Sequence, residues 1–187
     1  MKVAFVLFNG MTALDFVGVY DPLTRLKGMG LMESLQWDLC GRTEKVMDST
    51  GLTMIPTVMD KSLSVYDLLV VPGGPAAKDL SMDLSFVDWV RTAAPVPLKV
   101  SVCSGALLLG AAGFLKGRKA TTHAVRKEEL KPYCAEVVDQ RVVDDGDVIT
   151  CGGVTAGIDL GLYLCGKLVS LDAKEIIRHR MDYHSPW

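Results

Sequence analysis

Short, largely apolar runs that end in small residues and lead into helical stretches recur along this chain, and they restrict its fold more than any other feature. Residues 3–8, 35–40, 67–71, 98–102 and 148–150 read as strands of this kind. Strands without a polar face must be covered on both sides, which implies a mostly parallel sheet between two helical layers. Helical patterns fill the intervals: residues 12 to about 27, with a restart at Asp21-Pro22, then 84–93, 104–112, 125–130, 155 to about 169, and 173–182. Asp21-Pro22 resembles a cap followed by proline at the first helical position, and Thr155 a cap for the helix it opens. Residues 46–49 and 52–56 around Gly51 suggest a small hairpin. Residues 119–121 form a short strand, and 137–143 a strand that turns at Asp144-Asp145-Gly146-Asp147.

Composition narrows the function. The 187 residues are 49% hydrophobic and 22% charged, which fits one globular α/β domain over residues 1–187. A net charge of −2 without a Lys/Arg block argues against nucleic acid or an acidic membrane surface as partner. The longest apolar run, residues 106–115, is interrupted by Gly110 and Gly113 and is too short to span a bilayer. The chain starts directly on a strand pattern, without a signal-peptide layout, so a cytoplasmic location is expected. Five cysteines stand at wide spacings with no CxxC, which favours neither a zinc site nor a disulfide framework. Cys40 and Cys165 fit the core.

In such sheets, ligands sit at the carboxyl ends of the strands. Residues 10–15, Gly73-Gly74, Cys103, His123 and Cys151-Gly152-Gly153 all fall at such ends. Cys103 follows a strand and precedes the small residues Ser104-Gly105-Ala106, a thiol counterpart of the nucleophile elbow. The bland alternative is a buried small hydrophobe; the position at a helix start, where the dipole favours thiolate, decides for a nucleophile. Gly74 after Val71-Pro72-Gly73 offers a backbone N–H which, with that of Ser104, would form a two-donor pocket for developing negative charge. Asp15, between Leu14 and Phe16, is expected to be partly buried. An ionised Asp15 would raise the thiol pKa, so a useful pair shares one proton, with the acid protonated and Cys103 as thiolate. His123 reads as a rim residue, since nothing near it in sequence identifies an orienting partner. His179 and His184 read as surface residues, and the acidic turn lacks the ligand pattern of a calcium loop.

Taken together, Leu14-Asp15-Phe16-Val17-Gly18, Val71-Pro72-Gly73-Gly74, Ser101-Val102-Cys103-Ser104-Gly105-Ala106, the Ala111–His123 segment and Thr150-Cys151-Gly152-Gly153-Val154-Thr155-Ala156-Gly157-Ile158-Asp159 resemble the DJ-1/PfpI superfamily, and within it the isonitrile (isocyanide) hydratases. The resemblance covers essentially the whole chain. It implies a flavodoxin-like three-layer sandwich and a homodimer. It also implies a nucleophilic Cys103 with Asp15 as partnering acid, where many members carry glutamate. Gly74 and Ser104 would supply backbone contacts, the Ser104 hydroxyl standing where the hydratases have threonine. Gly73, Val154 and His123 are the candidate substrate-binding residues, with Val154 where an isoleucine or similar is expected. Peptidase-like members place histidine directly after the cysteine; Ser104 stands there instead. The motifs also resemble the sensor domain of AraC-type regulators, but the chain stops at Trp187 without a helix-turn-helix, so DNA binding is not expected.

The reaction implied is hydration of a small isonitrile to an N-formamide through a covalent thioimidate, with no metal and no organic cofactor. Two alternatives share the elbow: an amidase or glyoxalase/deglycase-like activity on small carbonyl compounds, and a non-catalytic sensor in which Cys103 oxidises to sulfinate.

Overall fold

The computed structural model describes residues 1–184. In chain order the strands are β1 (Lys2–Val6), β2 (Gln36–Gly41), β3 (Val46–Met47), β4 (Thr53–Met54), β5 (Val58–Met59), β6 (Leu68–Val71), β7 (Leu98–Val102), β8 (Lys119–Ala120), β9 (Glu136–Val137), β10 (Val142–Asp144) and β11 (Val148–Cys151). The helices are α1 (Ala13–Gly28), α2 (Ala77–Leu80), α3 (Leu84–Arg91), α4 (Gly105–Ala111), α5 (Lys127–Leu130), α6 (Ala156–Leu168) and α7 (Leu171–Arg180).

Seven strands form the central sheet in the order β10-β11-β7-β6-β1-β2-β5. All neighbours are parallel except β10, which runs antiparallel to β11 along the edge. Helices α1, α6 and α7 pack together as one layer, and α2, α3, α4 and α5 as the other. The expected α/β sandwich is the fold observed. One apolar cluster runs from Val3 to Ile177, and β6 is buried at every position because both of its faces are covered. From β1 the chain first moves outward to β2, then returns to place β6 on the other side of β1. The strand order therefore reverses between β1 and β6, and a crevice opens at their carboxyl ends. Among the described residues no helix is long and apolar enough to cross a membrane.

Several local expectations are corrected. Helix α1 does not restart at Asp21-Pro22; it continues through Pro22 to Gly28. Pro22 packs against Gly161 of α6, where an added Cβ would lie 2.8 Å from the ring and 3.0 Å from the Gly18 carbonyl that the proline leaves without its helical donor. Packing against α6 thus compensates for the lost bond. The strand expected over residues 137–143 is two strands, β9 on β8 and β10 on the main sheet. The break falls at Arg141, whose guanidinium turns inward to Asp159. Residues 125–130 are a 3₁₀ turn (Ala124–Arg126) followed by α5. Helix α7 starts two residues earlier than expected, capped by Ser170 Oγ on the Ala173 N–H at 3.1 Å. Strand β5 was not anticipated. The hairpin of β3 and β4, the turn at Asp144–Asp147, the exposed His179 and His184, and the buried Cys40 and Cys165 match expectation.

Thr155 does not cap α6 through its side chain. Its Oγ1 accepts instead from Arg141 Nη2 at 3.1 Å, while Arg141 Nε donates to Asp159, which is 2% exposed. Tyr183 donates its hydroxyl to the other Asp159 oxygen at 3.0 Å. Taking one partner from a buried pair leaves a charge without compensation. Arg141→Met is therefore expected to destabilise the fold by about 3 kcal/mol, read as a lower urea midpoint with an unchanged slope.

Candidate active site

The site forms where β7 ends. Cys103 takes φ +57°, a left-handed conformation unusual for a residue with a side chain. Its N–H donates to the carbonyls of Cys151 and Gly152 at 3.1 and 3.0 Å, and its carbonyl accepts from Thr122 Oγ1 at 2.8 Å. The neighbouring Pro-Gly-Gly loop lies backbone against backbone on this elbow: a Cβ on Gly73 would come within 2.5 Å of the Ser104 nitrogen. Held this way, Cys103 is 6% exposed and lines a cavity of about 240 Å³. The thiol is nearly buried, yet reachable.

Asp15 reaches the elbow from the first turn of α1 and is fully buried. Thr12 begins this helix, its N–H donating to the Gly73 carbonyl at 2.9 Å, and the Gly73 N–H returns to Asp15 Oδ2 at 3.0 Å. The other oxygen, Oδ1, is buried with no hydrogen-bond partner of normal geometry. The carboxyl and the Cys103 thiol are close enough to shift one another, although no aligned hydrogen bond joins them. An oxygen left in this state costs about 1–3 kcal/mol and is positioned to take a proton.

Burial is the largest cause of both shifts. It raises Asp15 from 3.8 to about 6, against the smaller lowering effects of Cys103 and the Gly73 N–H. Burial, then the Asp15 charge, pushes the Cys103 thiol from 9.0 up to about 11, against the pull of the Ser104 N–H and hydroxyl. Burial opposes the charged form of each group, so both shifts act to keep one proton on the pair at neutral pH. Burial and a neighbouring carboxylate thus act against the thiolate that the dipole of the seven-residue helix α4 favours.

The other candidates divide. Val154 and His123 line the cavity with Gly74 and Ser104. Val154 is itself left-handed at φ +25°, so strained residues stand on two sides of one cavity. His123 caps the 3₁₀ turn, Nδ1 accepting the Val125 N–H at 3.3 Å, and its ring packs against Gly153. Gly73 is not in the lining; it holds Asp15. The Gly74 N–H is not a free donor, since it gives its hydrogen to Ser104 Oγ at 2.9 Å while that hydroxyl donates to the Gly74 carbonyl at 3.0 Å. The expected two-donor pocket thus reduces to the Ser104 N–H. Thr12, from the 10–15 segment expected at this crevice, completes the lining with Pro75, Val125 and Arg126, which were not anticipated. Nor was Thr122, whose signal was a second hydroxyl beside His123. Larger clefts of about 320, 410 and 480 Å³ lie elsewhere, but none contains Cys103. The widest opening is not where the reactive pair lies.

Residues 1–167 match the model of the DJ-1/PfpI family. The chain belongs to the DJ-1/PfpI family. An isonitrile hydratase of Pseudomonas putida is 38% identical over 98% of this chain and 78% of its own length. A deglycase of Thermococcus kodakarensis is 34% identical over 80% of this chain and 89% of its own. The crystal structure of a ThiJ/PfpI family protein from Pseudomonas syringae superposes with a TM-score of 0.89 at 30% identity, covering all of this chain and 77% of that one. Two relatives bear different activities, so membership gives the fold and leaves the reaction to the site.

Because the folded Asp15 value of about 6 lies above 3.8, the native protein holds an extra proton between them. The stability this carboxyl contributes is complete below the unfolded value and lost as pH rises through about 6. Asp15→Asn is expected to be more stable than the parent at neutral pH by ~1–3 kcal/mol, the gap closing in acid, as read by urea unfolding at both conditions. The same variant should titrate its Cys103 thiol below about 11, visible in the ultraviolet absorbance of thiolate.

Proposed function

We propose that this protein hydrates a small isonitrile to its N-formamide at Cys103, with Asp15 moving the proton. The observation that carries the reading is the coupled, buried pair holding one proton beside an open cavity. The 38% identity to an isonitrile hydratase supports it.

The isonitrile carbon is electrophilic and needs a nucleophile and a proton together. As sulfur bonds to carbon, Asp15 takes the thiol proton on its unpaired oxygen and delivers it to that carbon, giving a thioimidate, R–N=CH–S–Cys. Water then adds to the same carbon. One of its protons goes to nitrogen and one returns to sulfur as the C–S bond breaks, releasing R–NH–CHO and the resting thiol. The Ser104 N–H lies beside the sulfur and stabilises negative charge there. One carboxyl serves both halves, as base and then as acid.

Apolar side chains are exposed on α1, at Leu14 and Val17, and around the β3–β4 hairpin, at Met47, Leu52 and Ile55. Backbone bonds from Gly10 to Met47 and from Ser49 to Met11 tie that hairpin to the loop before α1. This surface supports a homodimer. Val17→Lys with Leu52→Lys is expected to give a monomer by sedimentation.

Cys103→Ala is expected to abolish formamide production, and Asp15→Asn to lower kcat by about 10²–10⁴-fold. The acid limb of the parent's rate profile should rise through about 6, as the carboxyl ionises. Formamide yield from a neutral aryl isocyanide, measured beside methylglyoxal consumption, is the direct assay. Isonitrile hydration by Cys103→Ala, or consumption of methylglyoxal alone, would reject this function.

A further inference from the structure

Arg126 is the one charged side chain in the cavity lining among the described residues. It belongs to the 3₁₀ turn that His123 caps, so the same short segment brings both to the rim. Its Nη1 donates to both Glu129 oxygens, at 2.8 and 3.0 Å. Glu129 also accepts from Lys78 Nζ at 3.1 Å. Two cations thus share one carboxylate, leaving an excess of one positive charge at the rim. That carboxylate stays ionised: Lys78 first, then Arg126, hold it below the ordinary range.

The geometry of the guanidinium matters as much as its charge. Both bonds to Glu129 use one nitrogen, so among the described residues Nε and Nη2 have no hydrogen-bond partner. Their shared edge is the face that takes a carboxylate through two parallel hydrogen bonds. Pro75, Val125 and Val154 give the cavity an apolar wall, beside Thr12, Ser104 and His123. At about 240 Å³ the cavity is below the roughly 300–1,000 Å³ of pockets for drug-sized ligands. A ligand here is small, with an apolar body and an acceptor at the end away from Cys103.

We propose that the substrate is a small isonitrile bearing a carboxylate, and that Arg126 is the specificity-determining residue, receiving the anionic end while Cys103 receives the isonitrile carbon. The identity of the reactive end rests on the hydratase function proposed above; the anionic end rests on Arg126 alone.

Two measurements separate these parts. The first needs no isonitrile: the rates at which iodoacetate and iodoacetamide alkylate Cys103, as a ratio normalised to a free thiol. The parent should favour the anion, and Arg126→Gln should lower the ratio by about 10-fold, the worth of a charge-assisted hydrogen bond. Arg126→Lys keeps the charge without the two-pronged edge and should retain part of the preference, so loss of folding in the glutamine variant does not decide the outcome. The second is kcat/KM for isocyanoacetate over cyclohexyl isocyanide, which should exceed unity and fall about 10–100-fold in Arg126→Gln, mainly through KM. A parent without preference for iodoacetate, or a ratio that Arg126→Gln leaves unmoved, overturns the role of Arg126 whether or not isonitriles are hydrated. A preference for iodoacetate with no isonitrile hydrated upholds that role and overturns the isonitrile as substrate. Hydration of both isonitriles at equal efficiency overturns the carboxylate and leaves the hydratase standing.

Discussion

Holding Cys103 at φ +57° costs about 1–3 kcal/mol for a residue with a side chain, and only the surrounding packing maintains it. Each support comes from a different part of the chain. Strand β11 and the loop after it supply the two carbonyls for its N–H, Thr122 supplies a hydroxyl, and the Pro-Gly-Gly loop after β6 closes against the next residue. All of these depend on β6, β7 and β11 being adjacent and in parallel register, with Val71 beside Ser101 and Val102 beside Cys151. The sheet order is thus what makes the elbow possible. A chain that misplaced any one of these strands would release Cys103 to ordinary backbone geometry, and the sulfur would leave Asp15.

Given that placement, the electrostatics follow from burial. No cation is among the causes that shift the Cys103 thiol, and the nearest charge to matter is a carboxylate. A thiol activated by a cation would stand permanently ionised. Here one proton is shared by two groups that burial disfavours in their charged forms, and it is released from sulfur as a substrate bonds there. The positive charge of this site is kept at the rim, on Arg126. In the proposed function, binding and proton transfer thereby fall to separate groups, and a change in one need not disturb the other.

What the sequence made legible follows the same division. Cys103, Asp15 and Ser104 could be read because backbone pattern defines their places: a strand end, a first helical turn, and the residue after an elbow. The sandwich was legible for a similar reason, since β1, β6 and β7 carry apolar runs that demand cover. Arg126 and Thr122 were not, because their roles depend on where a short turn lies in space, and neither has periodic spacing. The free donor expected at Gly74 failed on a side chain: the Ser104 hydroxyl captures it, and no backbone pattern reports where a hydroxyl points. The restart at Pro22 failed because the compensating partner, Gly161, is far away in sequence. Local rules lost wherever tertiary packing met the local need.

The same distinction bears on why the proposed reaction is placed in this cavity rather than a larger one. A stable fold avoids left-handed side-chain-bearing residues, and it avoids buried carboxylate oxygens without partners. Cys103, Val154 and Asp15 depart from those rules within one region, and two of the three face one space of about 240 Å³. None of the residues lining the cleft of about 320 Å³ beside Leu7 and Phe86 departs in this way, and its arginine, Arg42, is committed to Asp60 and Ser85. Packing alone gives no reason for such costs to gather. The proposed reaction does, because in it a strained elbow presents the nucleophile and an unsatisfied oxygen receives its proton. That proposal requires a substrate whose reacting atom takes sulfur and hydrogen in turn, and an isonitrile carbon meets the demand.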